Sequence, residues 1–147
     1  MDNKDNIKLN MRFTDINVIK YSQYDLIESF DKNNKTLVNF QSNFQFKVIP
    51  ETESMACSVI VEIRIIETDE LFSELKVQNI FEVKPLSKIL NTKKENSYDI
   101  PNGLLNTIIS LSISTVRGIL SEKLKGTFIQ NEVYPLIDPS KLIKNIN

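Results

Sequence analysis

Residues 44–85 read FQFKVIPETESMACSVIVEIRIIETDELFSELKVQNIFEVKP. Phe44, Phe46 and Val48 alternate with Gln45 and Lys47, and Pro50 closes that run, since proline cannot donate to an interior ladder. Val59, Val61, Ile63 and Ile65 then alternate with Ile60, Glu62, Arg64 and Ile66, and the chain turns at Thr68-Asp69-Glu70. Beyond the turn, Leu75, Val77, Phe81 and Val83 share one parity against Glu74, Lys76, Glu82 and Lys84. Three period-two runs joined by short turns predict an antiparallel meander with one packed and one wet face. Pro85 ends the sheet region.

Upstream, Leu9, Met11 and Phe13 share a parity that changes at Ile16 and Val18, which predicts a further strand with a bulge or bend near Thr14-Asp15. Residues 1–7 form a polar arm. Residues 21–43 are less periodic: Tyr21, Tyr24, Leu26, Ile27, Phe30, Leu37 and Phe40 surround the polar patch Asp31-Lys32-Asn33-Asn34-Lys35. They read as a long connection holding at most a short strand or helical turn, and a connection of that length is usually functional. Downstream, Lys93-Lys94-Glu95 is an exposed tip of a mixed connection.

A helix is expected over 102–125. Leu105, Ile108, Ile109, Val116, Ile119 and Leu120 recur at helical spacing, Asp99 or Asn102 can cap its start, and Gly126 is placed to end it. Thr127-Phe128-Ile129 reads as extended. Asp138 as N-cap and Pro139 as first helical residue begin a short last helix carrying Leu142, Ile143 and Ile146. The fold class is therefore α+β, a four-stranded antiparallel sheet packed with one long helix and a short C-terminal helix, with residues 1–147 as a single domain.

Composition restricts the chemistry. The chain has no His and one Cys, Cys57, so a Ser-His-Asp triad, a Cys-His pair and a structural zinc site are excluded within one chain. Only three Gly occur and no phosphate-cradling loop is present, so no cofactor is expected and the function reads as binding rather than catalysis. Eighteen Lys and Arg against nineteen Asp and Glu give a net charge of −1, which argues against nucleic acid as a partner. Cys57 opens an apolar strand and reads as a small buried hydrophobe. The first residues carry no apolar signal region and the single free Cys suits a reducing compartment, so the expected location is cytoplasmic. Residues 104–120 are apolar, but Asn106, Ser110, Ser112, Ser114, Thr115 and Arg117 interrupt them, and no membrane span is expected.

The long helix is unusual in its second face. A helix lying on one sheet needs one apolar stripe and a charged outer face. Here Arg117 is the only charge between Leu104 and Ser121. Thr107, Ser110, Leu111, Ser114 and Arg117 are therefore candidate oligomer-interface residues, the alternative being that another part of the same chain covers them.

The order of elements, with the segment TVRGILSEKLKGTFIQNEVYPLIDPSKLI at 115–143, resembles the SecB export-chaperone family. Within it Arg117-Gly118, Gly126-Thr127 and Pro135-Leu136-Ile137-Asp138-Pro139 carry the likeness, which extends over about residues 9–143. The resemblance implies a homotetramer built as a dimer of dimers, and ATP-independent holding of unfolded or nascent polypeptides in apolar grooves. It places client binding on Tyr21, Tyr24, Phe40, Phe44, Phe46, Leu142 and Ile143. It also implies the SecA motor or an antitoxin as a further partner. The family's acidic sheet surface docks SecA, whereas Glu62 and Glu74 here are mixed with Arg64 and Lys76, which weakens that role. Two rival readings are a dedicated adaptor binding one antitoxin or other peptide on the same fold, and an enzyme using Asp or Glu on a sheet wrapped round the long helix.

Overall fold

The computed structural model describes residues 9–89, 99–135 and 137–146, the side chains of 143–146 excepted. The polar arm, the Lys93-Lys94-Glu95 tip and the side chain of Ile143 lie outside the described residues. Four strands, β1 (Asn10–Gln23), β2 (Val38–Ile49), β3 (Ser54–Ile65) and β4 (Leu71–Lys84), form one antiparallel sheet in the order β1-β4-β3-β2. Two helices follow, α1 (Asn102–Lys123) and α2 (Pro139–Ile146).

Strand register explains the core. Phe44 pairs with Val59 and Val59 with Val77, and Phe46 pairs with Cys57, so the odd residues of β3 and β4 and the even residues of β2 share one face. On β3 and β4 that face is sealed: Met55, Cys57, Val59, Val61, Ile63, Leu75, Val77, Phe81 and Val83 are fully buried. α1 covers them with Leu105, Ile108, Ile109, Ile113, Val116 and Leu120. Between Leu75 and Val83 the expected alternation on β4 has one polar member, Asn79, which is fully buried. Its Nδ2 donates to the Cys57 carbonyl at 3.3 Å, and Thr115 Oγ1 donates to its Oδ1 at 2.8 Å.

On the sheet, α1 packs mainly on β3 and β4. A helix is roughly 10–12 Å wide with its side chains, whereas four strands span roughly 19 Å at about 4.8 Å each. The helix-side faces of the two edge strands therefore extend beyond α1. On β2 this leaves Phe40, Phe44 and Phe46 half-buried, and on β1 it leaves Ile16 and Val18 about half exposed, at 50% and 46%. Length and composition alone would let α1 cross a membrane, but its apolar side chains are used on the sheet.

Several expectations are revised. Residues 38–43 continue β2 rather than belonging to the irregular connection, so Phe40 is a strand residue. Asn39, Gln41, Ser42 and Asn43 are poor strand formers, and their cross-strand partners supply the order. β3 likewise begins at Ser54. The β1 register shifts between Phe13 and Asp15 as expected, and again between Val18 and Lys20. The cap of α1 is Pro101, with no side-chain cap bond, and the helix stops at Lys123. Residues 127–129 are turns rather than extended chain, held by Thr127 N–H to Leu124 O and Gln130 N–H to Thr127 O. Gly126 takes the left-handed conformation (φ 82°) that this reversal needs, one favoured by glycine. Asp138 caps α2 as expected, its Oδ1 accepting from Ser140 N–H at 3.0 Å.

Candidate polypeptide-binding surface

The nominated aromatic residues fall at opposite edges of the sheet. Phe40, Phe44 and Phe46 lie in a row on the helix-side face of β2, with Val48 continuing it. Tyr134, from the segment between the helices, stands over one end of the row. Its ring meets Phe40 edge-to-face at 5.8 Å and its hydroxyl bonds to Ser42 Oγ. Burial raises the Tyr134 pKa above its ordinary value, while the Ser42 bond and the Arg117 charge pull the other way. Leu142 of α2 is partly buried against the same core.

Tyr21 and Tyr24 lie three inter-strand spacings away, roughly 14 Å. Tyr21 is tied down: its hydroxyl donates to Lys123 O at 3.4 Å and accepts from Gln23 Nε2 at 2.6 Å, and Lys123 Nζ sits 5.3 Å from its ring centroid. Tyr24 is 41% exposed, and its N–H is held by Phe72 O at 2.8 Å. Phe40, Phe44 and Phe46 therefore form one surface that Tyr21 does not join.

The connection from β1 to β2 is strapped across the β3–β4 hairpin. Glu70 accepts from the N–H groups of Ile27 and Glu28 at 2.9 and 2.7 Å, and Glu67 accepts from Asp31 N–H at 2.9 Å. Phe30 and Phe72 clamp Phe128 at 5.5 and 5.0 Å, and Lys32 lies over the Phe128 ring. Leu26, Ile27, Phe30, Lys32 and Phe128 bound a hollow of about 340 Å³ there. Phe128 escaped the sequence reading because Thr127-Phe128-Ile129 reads as a strand, and nothing local marks the turn that brings Phe128 to this cluster.

On α1, Thr107, Ser110, Leu111 and Ser114 are exposed. The hydroxyls of Thr107 and Ser114 donate back to the carbonyls of Gly103 and Ser110, at 2.9 and 3.0 Å. Their polar groups are thereby satisfied within the helix, so this face can be covered at little desolvation cost. Arg117 differs: its Nε and Nη2 donate to the carbonyls of Tyr134 and Pro135, at 3.2 and 3.3 Å. With Ser114 and Gly118 it lines a hollow of about 440 Å³ between α1 and the segment that follows it, so part of this face is occupied by its own chain.

The outer face of the sheet neutralises its own charges. Arg12 and Lys84 flank Glu82, Lys20 pairs with Glu74, and Arg64 pairs with Glu62. Such exposed pairs contribute little stability, but they leave no extended field of one sign. Among the described residues no three metal-ligating side chains come together.

Among solved structures, the chain is similar to the Rv1957 SecB-like chaperone of Mycobacterium tuberculosis, solved in complex with a ChAD peptide from the Rv1956 HigA1 antitoxin. Identity is 9%, with 86% of this chain and 90% of that chain covered, at a TM-score of 0.60. A protein of unknown function from Streptococcus agalactiae aligns at 11% identity over 88% and 98% of the two chains, with a TM-score of 0.47. No protein-family model and no curated protein matches the sequence. At such identities the first likeness is one of fold, and the chain has the SecB-like α+β fold.

Proposed function

We propose that this chain is an ATP-independent, cytoplasmic chaperone that holds unfolded polypeptide segments, and that it is not an enzyme. The observation that carries this reading is the half-open row of Phe40, Phe44 and Phe46 on the part of β2 that α1 does not cover. Unfolded clients share apolar side chains rather than a sequence, and adjacent rigid aromatic rings give contact area to any of them. The fold shared with a SecB-like chaperone supports the same reading. Leu142 of α2 would extend the surface, the side chain of Ile143 is proposed to continue it, and exposed Tyr24, at the opposite edge of the sheet, would give a long client a separate contact.

The assembly proposed is a homotetramer that covers the α1 face at Thr107, Ser110, Leu111 and Ser114. Exposed Ile16 and Val18 on β1 would also be covered. Arg117, bound to carbonyls of its own chain, would support the segment beside the interface rather than pair across it. Docking of SecA is not favoured, because Glu62, Glu74 and Glu82 on the outer sheet face are already paired.

The test is aggregation of a chemically unfolded model protein on dilution, without nucleotide. The wild-type chain should suppress the aggregation, and the double variant Phe44→Ser/Phe46→Ser should suppress it several-fold less. A wild-type chain without effect at any stoichiometry would remove the proposal. The antitoxin peptide bound by the Mycobacterium tuberculosis neighbour favours a second reading, a chaperone dedicated to one peptide. That version predicts tight binding of a single short segment and weak general holding.

A further inference from the structure

β2 and β1 are both edge strands, but only one is guarded. β1 carries two register shifts and the charges Arg12, Asp15 and Lys20. Native proteins use such bulges and charges to stop further strands from adding. β2 pairs with β3 along all 12 residues without a register shift, and its only charge is Lys47. Among the described residues no main-chain hydrogen bond reaches its outer edge.

The register shows which groups are open. Leu37 O accepts from Ile66 N–H at 3.0 Å, in step with the Val38–Ile65 pairing that follows. In an antiparallel ladder the hydrogen-bonding direction alternates residue by residue. The odd residues of β2 therefore bond to β3, and the N–H and C=O groups of Phe40, Ser42, Phe44, Phe46 and Val48 point out of the edge. These are also the residues whose side chains face the helix layer. The open ladder and the aromatic row belong to the same residues.

We propose that an unfolded segment binds by strand addition. It lies extended along the outer edge of β2, bonded through its main chain to residues 40–48. Its alternate apolar side chains fall beside Phe40, Phe44 and Phe46, and its intervening polar ones beside Gln41, Asn43 and Gln45. The main chain is common to every polypeptide, so the ladder supplies affinity without sequence, and the aromatic row selects segments that alternate apolar and polar. The nearly uncharged edge admits segments of either sign. This inference rests on the holding function proposed above.

The probe is a short peptide of alternating Val and Thr, made unmodified and with N-methyl groups on either the Val or the Thr amides. Both methylated forms keep every side chain, and each blocks one edge of the extended peptide. Binding to the wild-type chain should fall at least about tenfold for one form and stay near the unmodified value for the other, since one blocked phase removes a whole set of ladder bonds. Loss with methylated Val amides would report antiparallel addition, and loss with methylated Thr amides parallel addition. Equal binding of the two forms would overturn strand addition, while leaving the holding function intact if unfolded protein is still bound. No binding of peptide or of unfolded protein would overturn both. On the protein, Ser42→Pro removes an edge N–H, and Ser42→Ala is the control for the Tyr134 hydroxyl bond. Loss of peptide binding in the proline variant alone would agree with strand addition. A halved solution mass in that variant, with peptide binding unchanged, would assign the edge to a second copy and overturn it.

Discussion

Asn79 is a polar residue in the middle of an apolar face, and both halves of its amide are used. Removing Thr115's hydroxyl with Thr115→Val would leave the Asn79 oxygen buried without its donor, at a cost of about 1–3 kcal/mol in chemical unfolding. An unchanged midpoint would show that this bond contributes nothing net. Cys57 gives a pH signature. Burial raises its thiol from the ordinary 9.0 to about 11, while the Ser112 hydroxyl beside it pulls the other way. The folded state thus keeps a proton that the unfolded chain releases. The stabilisation is complete below pH 9 and is lost as pH rises from 9 through 11, by about 2–3 kcal/mol. Wild type should lose stability over that window more steeply than Cys57→Ala, and parallel curves would contradict the assignment. The Cys57 reading was open to sequence because an apolar strand surrounds it. The role of Asn79 was not, because both of its partners are remote in sequence, at Cys57 and Thr115.

At the scale of elements, the main constraint is that one helix covers two strands. α1 and the inner strands were legible because their apolar periods are long. β2 was legible only over Phe44, Phe46 and Val48. Its first half alternates Phe with Asn, Gln and Ser, a pattern that looks irregular until pairing with β3 imposes order. The β1–β2 connection was recognised as aromatic-rich, but not the carboxylates that fasten it, because Glu67 and Glu70 lie on a turn more than thirty residues away. Glu70→Ala should raise hydrogen exchange at the amides of Ile27 and Glu28 by about tenfold or more, with exchange in β3 unchanged. Unaltered exchange at those two amides would show that the strap is held by the Phe30–Phe128–Phe72 cluster alone.

At the scale of the whole molecule, two edge strands whose helix-side faces extend beyond α1 and one neutral helix face set the behaviour. The α1 face was read from sequence by its lack of charge, whereas exposed Ile16 and Val18 were not, since alternation cannot say how far a helix reaches across a sheet. If copies of the chain meet on α1, Leu111→Glu with Ser114→Glu should reduce the solution mass while circular dichroism stays native, because like charges would face each other across the contact. A mass unchanged by those two charges would place the contact elsewhere.

The most direct measurement is the solution mass by light scattering of the wild-type chain, alone and after mixing with a chemically unfolded model protein. The holding function predicts an assembly larger than the 17.0 kDa chain that gains the mass of bound client without nucleotide. A 17.0 kDa species whose mass the unfolded protein leaves unchanged would contradict it.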